Sequence, residues 1–139
     1  MTAIIIDDEK HCTKTLQWSI EQYCPEVSVV ATATNGIEGK ECIEKYEPQL
    51  VFLDIEMPKM NGIEFIQSFE DIPFEVIFTT AFDKYAINAI KLNALDYLLK
   101  PIDKDELMAA IEKLKKKIGK VQKNQIDNLY QIHKNKVID

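Results

Sequence analysis

The chain has no arginine, only four glycines, and three cysteines that lack CxxC spacing. Because no glycine-rich phosphate loop follows the first predicted strand, the sequence excludes a P-loop nucleotide site. The number and spacing of the cysteines favour buried or half-buried thiols in a reducing cytosol. These cysteines are Cys12, Cys24 and Cys42.

Long hydrophobic runs are also missing. No apolar stretch approaches the roughly 20 residues that a bilayer-spanning helix needs. Met1 leads directly into a strand-like segment, without the basic region and cleavage site of a signal peptide. With 139 residues, the chain is long enough for one domain with its own core. We therefore expect a cytoplasmic protein with no membrane partner.

Charge is distributed unevenly along the chain. Residues 1–112 contain 9 lysines and 21 acidic residues, a net charge of −12, whereas residues 113–139 contain 8 lysines and 2 acidic residues, a net charge of +6. The acidic body argues against nucleic-acid binding by this part. For the basic tail, a solvated helix face or a linker is favoured over a phosphate contact.

Five short apolar segments alternate with five segments whose apolar residues recur at helical spacing. Parallel strands need crossover connections, so this alternation predicts a parallel sheet with helices on both faces. The predicted strands are residues 3–6, 27–33, 50–53, 75–80 and 96–99.

Capping residues and apolar faces are predicted for the later helices. Asn61 with Glu64, and Asp103 with Glu106, have the spacing of a capping box. Asp83 is predicted to cap the fourth helix. The inner face of that helix is expected to consist of Ala86, Ala89 and Ile90.

The last helix is expected to extend beyond the domain. Its apolar stripe weakens after residue 121, and Gly119 lowers helix propensity there. We predict a domain over residues 1–119 and a helix extension or linker over 120–139, with a short coiled coil as the alternative. The stripe consists of Leu107, Ile111, Leu114, Ile118 and Val121.

Reactive side chains follow four of the five predicted strands. Asp7 and Asp8 follow the first strand, Asp54 ends the third, Thr80 ends the fourth and Lys100 follows the fifth. Each one alone has an ordinary structural explanation, such as a helix cap or a solvated charge. Because the carboxyl ends of parallel strands share one edge of the sheet, where ligands bind in open α/β folds, together they predict a functional site.

The residue types at this edge favour phosphoryl chemistry. Carboxylates close together repel, and Mg²⁺ with its oxygen ligands relieves that repulsion. Lys100 supplies a positive charge and Thr80 a hydroxyl donor for phosphoryl oxygens. Asp54 is the candidate nucleophile, which would form an acyl phosphate. The acids after the first strand disfavour a flavodoxin-type FMN site, because they would repel the flavin phosphate.

The ordered set of motifs resembles the receiver domain of two-component response regulators over about residues 1–120. The matching motifs are Asp7-Asp8, Asp54 with Met57-Pro58 and Gly62, Thr80-Ala81, and Tyr97 with Lys100-Pro101. The segments 82–86 and 96–101 resemble the LytTR-type subgroup. The resemblance implies a flavodoxin-like (βα)5 fold with a doubly wound five-stranded parallel sheet in the order 2-1-3-4-5.

The resemblance also implies a metal site and a phosphoacceptor. Asp54 would accept phosphate from a sensor histidine kinase. Mg²⁺ would be held by Asp8 directly, by Asp7 through water, by Asp54 and by the backbone carbonyl of Glu56. We expect the Glu56 side chain to point over the site, where with Phe82 it would slow hydrolysis of the phosphorylated form.

A switch accompanies the site in the family. Thr80 and Lys100 would bind the phosphoryl oxygens, and the Lys100–Pro101 peptide bond would be cis. Thr80 and Tyr97 would change position together and alter the surface of helix four, strand five and helix five. Phosphorylated receivers of this kind would form a homodimer through that surface.

These implications predict a Mg²⁺-dependent phosphoacceptor switch rather than an enzyme. We expect a fragment of a transcriptional regulator, with DNA bound only through an output domain absent from this chain. Free-standing receivers are the alternative. An aspartyl-phosphate phosphatase is disfavoured because Asp54 ends the third strand, although Glu56 has the spacing of its second acid. A receiver without phosphorylation is disfavoured by the complete set of site residues.

Overall fold

The computed structural model has one five-stranded parallel sheet in the order β2-β1-β3-β4-β5, which confirms the predicted fold class and strand order. The strands are β1 Thr2–Ile6, β2 Ser28–Ala33, β3 Leu50–Asp54, β4 Glu75–Thr80 and β5 Asp96–Leu99. The helices are α1 Lys10–Tyr23, α2 Gly36–Tyr46, α3 Gly62–Gln67, α4 Ala86–Lys91 and α5 Lys104–Ile138, and a 3₁₀ turn spans Asp83–Tyr85.

The structure describes residues 1–138, without the side chains of residues 121, 122, 124 and 130–138. The prediction for Val121 therefore lies outside the described residues. Over the part of the chain that is described, no helix combines the length and the apolar character needed to cross a membrane.

The sheet separates two apolar cores. One core lies between the sheet and α1 and α5, and it contains Ile5, Phe52 and Leu107. The other lies on the opposite face, under α2, α3 and α4, and it contains Ile4 and Phe65. The central strands are buried on both faces, which explains why they are continuous apolar runs rather than alternating ones.

Two of the predicted helix caps are present. The Asn61 side chain accepts from the Glu64 N–H, and the Glu64 carboxylate accepts from the Asn61 N–H, so the predicted capping box at α3 is confirmed. Asp103 accepts hydrogen bonds from the N–H groups of Asp105 and Glu106 at the start of α5, but its own N–H is not bonded to the Glu106 carboxylate in the described part of the chain, so only half of the predicted capping box forms. Both caps satisfy N–H groups that have no partner within the helix.

The predictions for α4 were partly wrong. Asp83 begins the 3₁₀ turn, and α4 begins three residues later without a side-chain cap. Ala89 is buried as predicted, but the Ile90 side chain is 76% exposed. Because α4 is only six residues long, it packs through a narrow face centred on Ala89 and leaves Ile90 in solvent.

Helix α5 continues past Gly119 to Ile138 without a break. Leu107, Ile111 and Leu114 are fully buried against the sheet, as the stripe predicts. Between and after these buried residues, lysines of α5 pair with acidic residues elsewhere in the domain. These ion pairs are Lys113–Asp96, Lys115–Glu26 and Lys117–Glu75, at 2.8 to 3.0 Å. The domain boundary at residue 119 stays a prediction.

Candidate functional site

The carboxyl ends of β1, β3, β4 and β5 converge at one edge of the sheet. The parallel register pairs Ile6 with Leu53 and Asp54 with Thr79, so the residues that end these strands lie side by side. The structure therefore brings together every site residue predicted from the strand ends. These residues are Asp7, Asp8, Asp54, Thr80 and Lys100.

Three carboxylates form a compact acidic cluster at this edge. Each of Asp7, Asp8 and Asp54 offers one oxygen, and these oxygens lie within 4.8 Å of one another. Asp7 and Asp54 are buried, at 3% and 2% exposure, whereas Asp8 is more open to solvent. Burying carboxylates at such short separations is costly unless a cation compensates them.

Lys100 provides the cationic partner within the protein. Its Nζ lies 2.9 Å from Oδ2 of Asp7 and 3.3 Å from Oδ1 of Asp54. Burial lowers the pKa of Lys100, but the hydrogen bond with Asp7 and the charge of Asp54 outweigh that effect, so its pKa is raised. Lys100 therefore remains charged, and its single charge pairs with two of the three carboxylates.

Burial disfavours the ionised form of Asp54. Burial, reinforced by the charge of Asp7, raises its pKa from 3.8 to about 7, although Lys100 opposes the change. Its Oδ1 is buried and accepts no hydrogen bond from any described residue. Lys100 therefore compensates the charge at Oδ1 from 3.3 Å but leaves this buried oxygen without a hydrogen bond, which is where a further cation or donor group is expected.

The carboxylate oxygens of Asp7, Asp8 and Asp54 fit Mg²⁺. Oxygen ligands are what Mg²⁺ prefers, and it commonly binds through one or two carboxylates while retaining water. Oδ1 of Asp54, which accepts no hydrogen bond from the described residues, and the carboxylate of Asp8, which is more open to solvent, supply such ligands. The role predicted for the backbone carbonyl of Glu56 remains a prediction.

Thr80 links the acidic edge to the surface through a chain of hydrogen bonds. Its fully buried hydroxyl donates to Oε1 of Glu56 and accepts from the N–H of Phe82 at 3.1 Å. The Tyr97 hydroxyl in turn donates to the backbone carbonyl of Phe82. Burial raises the pKa of Tyr97. The Glu56 side chain thus reaches Thr80, as its predicted position over the site requires.

The loop after β3 is held tightly against Asp54. The N–H of Gly62 donates to the carbonyl of Ile55 at 2.9 Å. A Cβ at Gly62 would lie 2.5 Å from the Asp54 carbonyl oxygen, so this close approach requires glycine. On the other side of the site, the Lys100–Pro101 peptide bond is cis, as the resemblance implies.

A groove of about 330 Å³ opens beside the cluster, between α1 and the loop after β5. Its walls include Asp7 and Lys100 together with His11, Cys12 and Ile102. The sequence indicates a surface histidine at His11, and it does not single out Cys12 or Ile102 as functional candidates. Cys12 and Leu16 lie within two turns at the start of α1, which begins three residues after Asp7, and this closeness in sequence is the signal that could have placed them at the site.

The comparison with known proteins agrees with this geometry. Residues 3–112 match the family described as the response regulator receiver domain. A response regulatory protein of Shewanella oneidensis is 39% identical over 117 residues, which are 84% of this chain and 49% of that protein. The transcriptional regulatory protein BtsR of Escherichia coli is 35% identical over 119 residues, with the same coverage. The chain spans about half the length of these curated relatives.

Solved structures show the same architecture. The REC domain of AraT, a response regulator from Geobacillus stearothermophilus, superposes with a TM-score of 0.76 at 32% identity, covering 87% of this chain and 97% of that one. The response regulatory domain of mrkE from Klebsiella pneumoniae gives 0.75 at 26% identity, covering 84% and 96%. With the family match, these similarities show that the chain belongs to the response regulator receiver domains.

Proposed function

We propose that this receiver domain is a Mg²⁺-dependent phosphoacceptor that takes a phosphoryl group from a sensor histidine kinase onto Asp54. The observation that carries the proposal is the buried Oδ1 of Asp54, which accepts no hydrogen bond within the described chain, faces Lys100 at 3.3 Å and lies beside two further carboxylates. This arrangement favours a ligand that brings positive charge to the carboxylates and that also accepts a hydrogen bond from Lys100. A phosphoryl group accompanied by Mg²⁺ meets both requirements.

The transfer forms one bond and breaks another. A carboxylate oxygen of Asp54 bonds to the donor phosphorus while the P–N bond of the phosphohistidine breaks, and the electron pair passes to the imidazole nitrogen. Lys100 pairs with the phosphoryl oxygens, and Thr80 donates a hydroxyl hydrogen bond to them. Asp8, Asp7 and Asp54 would hold Mg²⁺, which when bound supplies positive charge to the carboxylates and to the phosphoryl oxygens.

The groove beside α1 ends at two neighbours of Asp54, and we propose that the phosphodonor approaches the site from this side. Its walls join Asp7 and Lys100 of the site to apolar and polar side chains of α1.

The output is proposed to pass through α4, β5 and α5. When Thr80 moves toward the phosphoryl group, the hydrogen bonds through Phe82 to Tyr97 transmit the change to β5. Exposed Ile87, Ile90 and Leu99 on this surface support a homodimer in the phosphorylated form. We extend the proposal to regulation of transcription through a DNA-binding domain outside this chain, and the resemblance of segments 82–86 and 96–101 to the LytTR-type subgroup supports it.

Intact-mass measurement tests the proposal. The protein is incubated with Mg²⁺ and acetyl phosphate, in which the P–O bond breaks and acetate leaves. We expect a mass increase of one phosphoryl group in the wild type and none in Asp54→Ala. No increase with acetyl phosphate or with a phosphorylated histidine kinase domain would contradict the proposed function. Release of inorganic phosphate from an added phosphomonoester would instead favour a phosphatase.

A further inference from the structure

The Thr80 hydroxyl has one hydrogen to donate, and it donates that hydrogen to the Glu56 carboxylate. Thr80 is fully buried at the end of β4, and Glu56 is half-buried in the loop after β3. The hydroxyl donates to Oε1 of Glu56 and accepts from the Phe82 N–H. A hydroxyl carries one proton, so it donates to one strong acceptor at a time.

A phosphoryl group on Asp54 competes for the same proton. Its oxygens are acceptors only, as are the oxygens of an ionised carboxylate. Thr80 therefore cannot serve Glu56 and the phosphoryl group together. The bond to Glu56 has to break before Thr80 can stabilise the phosphorylated state.

From this exclusion we infer that Glu56 is a positioning residue which holds Thr80 in its resting position, and that its carboxylate acts as an internal competitor of the phosphoryl group. The inference rests on the proposed function, since it concerns how the same site is regulated. Its consequence is a resting state that is more populated, and a phosphorylated state that is less stable, than Asp54, Lys100 and the acids alone would give.

The same contact extends to the surface. With Thr80 held by Glu56, its oxygen accepts from Phe82, whose carbonyl accepts from the Tyr97 hydroxyl. Glu56 therefore stabilises the resting arrangement of Tyr97 without touching it. Losing the Glu56 contact should change the environment of Tyr97 before any phosphoryl group binds.

Three substitutions separate this hydrogen bond from a simple charge effect. Glu56→Asp keeps the charge but shortens the side chain by one methylene, which withdraws it from Thr80. Glu56→Gln removes the charge but keeps an acceptor of the same length. Glu9→Gln removes a charge next to Asp8 on an exposed side chain that does not contact Thr80.

The measurement is the apparent affinity for beryllium trifluoride, a phosphoryl analogue whose fluorines accept hydrogen bonds, in the presence of Mg²⁺. Loss of a hydrogen bond to a charged group changes an equilibrium by about tenfold to a hundredfold. We expect Glu56→Asp to bind about tenfold or more tightly than the wild type, Glu56→Gln to show a smaller gain, and Glu9→Gln the smallest. A charge effect alone predicts the reverse order, with Glu56→Gln above Glu56→Asp, and that result would overturn the inference.

A second comparison tests whether the effect acts through Thr80. In a Thr80→Val background the hydroxyl is absent, so Glu56→Asp should no longer raise the affinity. In the unligated protein, amide NMR signals of Phe82 and Tyr97 should shift in Glu56→Asp and remain in place in Glu9→Gln. Unshifted signals, or an undiminished gain in the Thr80→Val background, would also refute the role of Glu56.

The experiments distinguish failure of the proposed phosphoacceptor function from failure of the role inferred for Glu56. If the wild type neither binds beryllium trifluoride nor gains a phosphoryl group from acetyl phosphate, the proposed function fails and the inference fails with it. If the wild type does both and the Glu56 variants do not differ from it, the receiver function stands and only the inference is refuted.

Discussion

Asp54 is predicted to destabilise the metal-free domain at neutral and alkaline pH. Its pKa is raised from 3.8 to about 7, chiefly by burial and then by Asp7. Below its unfolded-state pKa, the Asp54 carboxyl is protonated in the folded and in the unfolded protein, so burial of a charge does not reduce stability there. As the pH rises from the unfolded-state pKa to the native pKa, the unfolded chain ionises more readily than the folded protein. The free energy of unfolding should therefore fall between about pH 4 and pH 7.

The size of the effect follows from the shift. One pKa unit corresponds to about 1.36 kcal/mol, so a shift of about three units is worth about 4 kcal/mol at pH 8 as an upper limit. Measurements at pH 5 and pH 8 capture the part of this effect that develops between pH 5 and pH 7. Asp54→Asn removes the charge and keeps the shape, so its stability advantage over the wild type should grow by about 2–3 kcal/mol from pH 5 to pH 8.

Urea unfolding followed by circular dichroism, with EDTA present, measures this difference. The matched control is Asp71→Asn, which changes an exposed carboxylate outside the acidic cluster and should alter stability by less than about 0.5 kcal/mol at both pH values. An advantage of Asp54→Asn that is equal at pH 5 and pH 8 would refute the reasoning, and so would a variant less stable than the wild type at pH 8.

Three further outcomes follow from the site. Titration calorimetry should show Mg²⁺ binding that strengthens as the pH rises through about 7, because binding requires ionised Asp54, and Asp8→Ala should weaken it by about tenfold or more. Lys100→Met should slow labelling by acetyl phosphate, measured by intact mass, by about 100-fold or more, since it removes the cation beside Asp54; labelling at the wild-type rate would contradict that role. Gly62→Ala should lower the free energy of unfolding by about 1–3 kcal/mol, because its Cβ would meet the Asp54 carbonyl; unchanged urea unfolding would show that the loop yields freely.

Much of the fold could be predicted because its signals are local. Apolar runs bounded by turn residues mark the strands, and the spacing of Leu107, Ile111 and Leu114 marks the face of α5 that is buried. The capping box of α3 was equally readable, since Asn61 and Glu64 lie three residues apart. The error at Ile90 arose because helical spacing identifies a face only when the helix is long enough to have one.

The site could be assembled from sequence for a topological reason. Once the strands are parallel, their carboxyl ends meet at one edge, so Asp7, Asp54, Thr80 and Lys100 had to be neighbours whatever the details of packing. Their pairing was not predictable in the same way. Which carboxylate takes the Lys100 hydrogen bond depends on side-chain distances of 2.9 and 3.3 Å, well below what spacing along a chain can resolve.

By itself, then, the sequence determined the fold class, the strand ends that carry chemistry and the family to which the motifs point, because periodicity and parallel topology depend on residue order alone. The tertiary structure alone decided how the acids share one lysine, why the pKa of Asp54 is raised and which acceptor holds Thr80. Thr80 and Glu56 are 24 residues apart, and their hydrogen bond exists only because the end of β4 and the loop after β3 meet in space. Burial and short-range hydrogen bonds depend on that meeting, which no local pattern encodes.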